Sequence, residues 1–75
     1  ALFATAGAHW SERLSAARRL VVARAPQAAT ACRELIDANP QHYEPYALLA
    51  AVTQASDPSE AARLLREALA RRPAY

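Results

Sequence analysis

The sequence predicts an all-α protein of about four short helices, paired as antiparallel hairpins that stack on one another. Three observations predict it. The stretch Ala28-Ala29-x-x-Cys32-Arg33-Glu34-x-Ile36-x-x-x-Pro40 returns as Ala61-Ala62-x-x-Leu65-Arg66-Glu67-x-Leu69-x-x-x-Pro73, an offset of 73 − 40 = 33 residues. Apolar side chains recur at helical spacing. Proline and capping residues divide the chain into segments of helix length. A helical repeat of this size cannot bury its apolar faces alone, so the units stack, and such arrays act by binding other chains rather than by chemistry.

Helix one carries apolar or small residues at Phe3, Gly7, Trp10, Leu14, Ala17 and Val21, and its start lies either at Leu2 or at a cap on Ser11. Residues 1–10 are therefore an N-terminal extension or the first turns of that helix, 11–40 the first hairpin and 41–75 the second. Helix two opens at Pro26 and stops at Asn39-Pro40, where Asn tolerates a left-handed cap. Tyr43 to Ala55 reads as helix three, with Pro45 in the first turn, where a missing N–H costs little. Its Tyr46, Leu49, Ala50 and Thr53 fall at i, i+3, i+4 and i+7 on one face. Asp57-Pro58-Ser59-Glu60 is a helix start with a capping box, and helix four runs from it to about Arg72, ahead of Pro73. Ala61, Leu64, Leu65, Ala68 and Leu69 form its apolar stripe, and Arg63–Glu67 and Glu67–Arg71 are i,i+4 pairs on its wet side. The turns between helices are too short for anything but antiparallel neighbours.

Composition narrows the function. At 75 residues the chain makes one domain, and a chain of this size buries only about 60 % of the surface its unfolded form exposes. Its 53 % hydrophobic content is mostly Ala, with one Phe, one Trp, three Tyr and no Met, which favours close helix contacts over a thick aromatic core. All nine basic residues are Arg, the mark of a GC-rich, bacterial coding genome. A net charge of +2 with seven interspersed acids gives a mildly basic surface, too weakly so to argue for nucleic acid by itself. Arg13, Arg18, Arg19 and Arg24 concentrate in helix one, but no aromatic is interleaved, and an ordinary solvated face explains them better than a phosphate-contacting stripe. No apolar run approaches the roughly 20 residues that span a bilayer, and no basic segment precedes the Ala-rich start. From a start at Ala rather than Met the chain is expected to be a processed or excised piece of a longer protein, soluble in the cytoplasm or periplasm.

Chemistry-bearing residues form no site. One cysteine gives neither an internal disulfide nor a metal framework, and Cys32, on the inward side of helix two, reads as a small buried hydrophobe. His9 and His42 lack ligand spacing. Gly7 is the only glycine, so no phosphate-binding loop can be built. The expectation is no catalytic residue, cofactor or metal, and hence no enzyme.

The second unit resembles a tetratricopeptide repeat. Tyr46, Leu49 and Ala50 match that family's large, Leu and small positions in the first helix of a repeat, with Thr53 where an aromatic is usual. Ala61, Leu65, Ala68, Leu69 and Pro73 match the second helix and the closing proline, and the repeat is one residue shorter than the usual 34. The first unit matches through Ala28, Cys32, Ile36 and Pro40; in its first helix, aligning Leu14, Ala17 and Val21 with Tyr46, Leu49 and Thr53 puts Arg18 opposite Ala50. The resemblance implies a short right-handed solenoid whose first helices line a concave groove that receives a peptide or helix of a partner protein. Mapped here, that groove is faced by Glu12, Ser15, Arg19 and Val22 from helix one and by Glu44, Ala47, Ala51 and Gln54 from helix three. Ala47 and Ala51 stand where the carboxylate clamp of chaperone-binding members has Lys and Asn, so a C-terminal carboxylate is not the expected target.

Two further features bear on partners. Phe3 and Trp10 either cover the end of the array or anchor a partner or a second copy. Helix four ends in a closing proline with no polar capping helix, which predicts self-association or docking to another domain through its apolar face. The alternative to an adaptor is an architectural or oligomerisation segment of a larger bacterial assembly or multidomain enzyme, with no groove of its own.

Overall fold

A computed structural model describes the backbone of residues 2–71 and the side chains of residues 10–71. Within those bounds the protein is all-helical: α1 (Leu2–Val22), α2 (Ala28–Ala38), α3 (Glu44–Thr53) and α4 (Pro58–Arg71), with no strand among the described residues. Helix α1 packs on α2 and α3, α2 also packs on α3, and α3 packs on α4. Among the described residues α3 is the one helix that α4 packs on.

The boundaries follow local chemistry. Helix α1 runs unbroken from Leu2, so Ser11 lies inside it and caps nothing. It closes on Arg24 in the left-handed region at φ 57°, with the Arg24 N–H donating to Val21 O (3.1 Å) and the Ala25 N–H to Leu20 O (2.9 Å). This paired 5→2 and 6→1 arrangement is the Schellman end, here with Arg where glycine is the usual residue. Pro26 and Gln27 then form a turn, and α2 begins two residues later than the proline suggested. Asn39 is not left-handed: at φ −144° and ψ 78° it is extended, because the ring of Pro40 excludes the α region for the residue before it.

The Tyr43 carbonyl opens α3 by accepting the N–H groups of Tyr46 (3.1 Å) and Ala47 (3.2 Å), while Pro45, which has no N–H, sits buried in the first turn. At the start of α4, Asp57 Oδ1 accepts the Glu60 N–H at 3.1 Å. The capping box is only half made, since the Glu60 carboxylate turns to Arg63 (2.8 and 2.6 Å) and is held below the usual carboxylate range by that hydrogen bond. Arg63 thus pairs at i,i+3 rather than with Glu67, which pairs with Arg71 as the spacing predicted. Replacing Asp57 with Ala should cost about 1 kcal/mol in a urea melt, the usual worth of such a cap, while Glu60→Ala should cost less.

The core is thin and rich in small residues: Leu14, Ala17, Cys32, Leu35, Tyr46, Leu49, Ala50, Ala61, Leu64 and Ala68. Ala17, not Arg18, is the close-packing residue of α1, and it lies 50 − 17 = 33 positions before the buried Ala50. The offset is therefore the same in both helices of the repeat, and Arg18 stays outside, its Nη2 3.4 Å from Glu44 Oε2. Cys32 is fully buried, and desolvation pushes its thiol pKa up despite neighbouring Arg33. The predicted stripe of α4 divides: Ala61, Leu64 and Ala68 are buried, but Leu65 is 48 % and Leu69 64 % exposed.

Candidate partner-binding cleft

The eight residues mapped to a groove fall into separate places. Glu12, Ser15 and Arg19 are exposed and, with Ser11, line a shallow depression of about 350 Å³ formed by α1 alone. Glu44 is half-buried and engaged with Arg18, and Ala47 packs against the core. Ala51 and Gln54 are exposed and line a larger cleft of about 570 Å³ with Val21, Arg24, Ala25, Ala28, Val52 and Ala55. Val22 lines neither and is 78 % exposed.

The larger cleft is built where three elements converge. Helices α1 and α3 both end there, and α2 begins there. Its walls are Val and Ala side chains from both hairpins, so the interior is apolar, while the Arg24 guanidinium and the Gln54 amide supply donors at the margin. Arg24 is directed there by the left-handed turn that ends α1. It follows the C-terminus of α1, whose negative dipole end favours a cation, while the positive end of α2, which starts at the same cleft, opposes it. Among the described residues no carboxylate forms an ion pair with Arg24. Such a cleft suits an apolar side chain carried on a segment that can accept hydrogen bonds from Arg24 and Gln54.

Val21, Arg24 and Ala25 were not singled out from the sequence as lining residues. The signal was present in Val21-Val22-Ala23-Arg24-Ala25-Pro26, a helix end ahead of proline with no glycine to take the left-handed position. Trp10 is half-buried and stacks on the exposed ring of His42 at 4.8 Å and 30°, so one of its faces is used within the molecule; the side chains of Phe3 and His9 lie outside those described. Among the described residues no three His, Cys, Asp or Glu side chains converge as a metal site would require, and no helix is long and apolar enough to cross a membrane. No family model, no curated protein and no solved structure matches the chain.

Proposed function

We propose that this chain is a protein–protein interaction module, an adaptor of the tetratricopeptide type whose hairpins form a short right-handed solenoid. It binds a peptide or helix of a partner protein, with no catalytic role. One observation carries the reading: an apolar cleft walled by both hairpins, with Ala51 and Gln54 of the mapped groove on one side and Arg24 at its margin. The equal offset of Ala17 and Ala50 supports treating α1–α2 and α3–α4 as two copies of one unit. In this reading the groove is shifted toward the ends of α1 and α3. Glu12, Ser15 and Arg19 contribute at most a polar flank.

Peptides selected from a random display library against the intact chain should compete with one another for the cleft. Ala51→Trp, which fills it, should abolish their binding. Arg24→Gly should weaken binding while leaving the protein as stable or up to about 1 kcal/mol more stable, since glycine takes a left-handed cap without the Cβ penalty. Ligands that bind both variants as tightly as the parent would sink the proposal. The exposed Leu65 and Leu69 favour a second reading, in which the chain is an architectural segment joining other parts of an assembly.

A further inference from the structure

The internal repeat allows one end of the molecule to be read from the other. The 33-residue offset lays α2 on α4, and the positions facing their own hairpin agree: Ala28 and Ala61 are buried, as are Leu35 and Ala68. The other face disagrees. Cys32 is 0 % exposed where Leu65 is 48 %, and Ile36 packs on the core where Leu69 stands in water. The neighbours account for it, because α2 lies against both α1 and α3, whereas α4 has α3 alone among the described residues. Leu65 and Leu69 thus occupy the positions that in α2 are covered when α3 packs down.

The cover of α2 is the facing side of α3. Pro45, Leu48 and Val52 fall at i, i+3 and i+7 on α3, none of them exposed, and Val52 lines the cleft with Val21, Ala25 and Ala28 of the first hairpin. Through Val52 this stripe reaches the preceding unit. The same positions of α1, 33 residues earlier, are Glu12, Ser15 and Arg19, all polar and exposed. A second copy is therefore a poor cover for α4: offering α1 in the pose of α3 would bury a carboxylate and a guanidinium on two leucines, and its own α3 stripe is already in use. Charge narrows the occupant further. Arg63 and Arg71 have Glu60 and Glu67, but Arg66, between the two leucines in sequence and exposed, has no ion-pair partner among the described residues.

We propose that the Leu65–Leu69 face of α4 is a docking surface for an amphipathic helix of a partner protein. That helix carries an apolar i, i+3, i+7 stripe flanked by an acid for Arg66 and lies on α4 as α3 lies on α2. This surface is separate from the cleft and stands whether or not the cleft binds peptides. The probe is a fluorescently labelled synthetic peptide with the sequence of residues 43–55, which holds the stripe. Its anisotropy should rise and saturate on titration with the intact chain. L65S/L69S, at two exposed positions and with unchanged far-UV circular dichroism, should weaken binding at least tenfold. A peptide with Glu, Ser and Arg in place of Pro45, Leu48 and Val52 should not bind the unaltered chain. Three results would overturn the proposal: no binding at millimolar peptide, equal binding by L65S/L69S, or a dimer in sedimentation equilibrium that L65S/L69S dissociates, which would make a second copy the occupant.

Discussion

Leu35→Ala should bring this protein close to unfolding. Leu35 is among the largest fully buried side chains, and its helix is held between α1 and α3, so the space left by the missing carbons cannot close by the drift of one loosely held element. Leu-to-Ala changes in such positions cost about 2–5 kcal/mol. A 75-residue chain has about 4–11 kcal/mol in total at the usual stability per residue. A mid-range loss of about 3 kcal/mol would lower the melting temperature by about 12–24 °C in a domain of this size. In urea the midpoint should fall with little change in slope, since the surface exposed on unfolding is nearly the same. Leu69→Ala is the control: the same atoms removed from a 64 % exposed position should cost less than about 0.5 kcal/mol. A Leu35→Ala midpoint no lower than that of the control would show that α2 is not held as described.

The contrast between Leu35 and Leu69 also shows what was legible in the sequence. Leu69 belongs to the stripe read for α4, whereas in α2 the repeat points to Ala28, Cys32 and Ile36 and passes over the buried Leu35; periodicity reports which side chains can be buried together, not how many neighbours are present to bury them. Helix number and most boundaries could be read because proline and Asp act locally: Pro45 near the start of α3 and the Asp57 cap of α4 stand where expected. Conformations set by competition between neighbours were harder. Asn39 has the right residue type for a left-handed cap, but Pro40 overrides it, and the left-handed position falls instead to Arg24, which has no intrinsic preference for it. That exchange moved the candidate site. A groove mapped from the family resemblance follows the faces of α1 and α3, whereas the observed cleft depends on where the turn after α1 sends Arg24.

A cluster at the α2–α3 turn explains how α4, with one helical neighbour among the described residues, keeps its C-terminal end in place. The Pro40 carbonyl accepts the Tyr46 hydroxyl at 3.0 Å and Arg71 Nε at 2.6 Å. The Arg71 guanidinium lies 4.5 Å from the centre of the Tyr46 ring, and its Nη1 donates to the Glu67 carboxylate and, at 3.2 Å, to the Glu67 carbonyl. The residue 33 positions before Arg71 is Ala38, so the first unit has no such clamp.

Tyr46→Ala should cost about 3–4 kcal/mol, because it empties a buried aromatic site and removes the platform under Arg71. Tyr46→Phe separates the parts: ring and stacking remain, Arg71 still serves the carbonyl, and the loss should be about 1 kcal/mol or less. Arg71→Ala should cost about 1–2 kcal/mol through lost ring contact and the carbonyl bond, since a partly exposed ion pair adds little. Arg71→Lys should recover less than half of that, because an ammonium keeps the charge but not the planar contact with the ring. The decisive measurement is the coupling between positions. Arg71→Ala should cost at least about 0.5 kcal/mol less in a Tyr46→Leu background than in a Tyr46→Phe background, where the ring is still present. Equal costs in the two backgrounds would mean that Arg71 acts only through Glu67 and Pro40. Amide exchange in the last turn of α4 should then separate the two accounts again. A clamp that ties α4 to the α2–α3 turn predicts faster exchange there in both Arg71→Ala and Tyr46→Leu, whereas a purely local Arg71–Glu67 contact predicts it in Arg71→Ala alone.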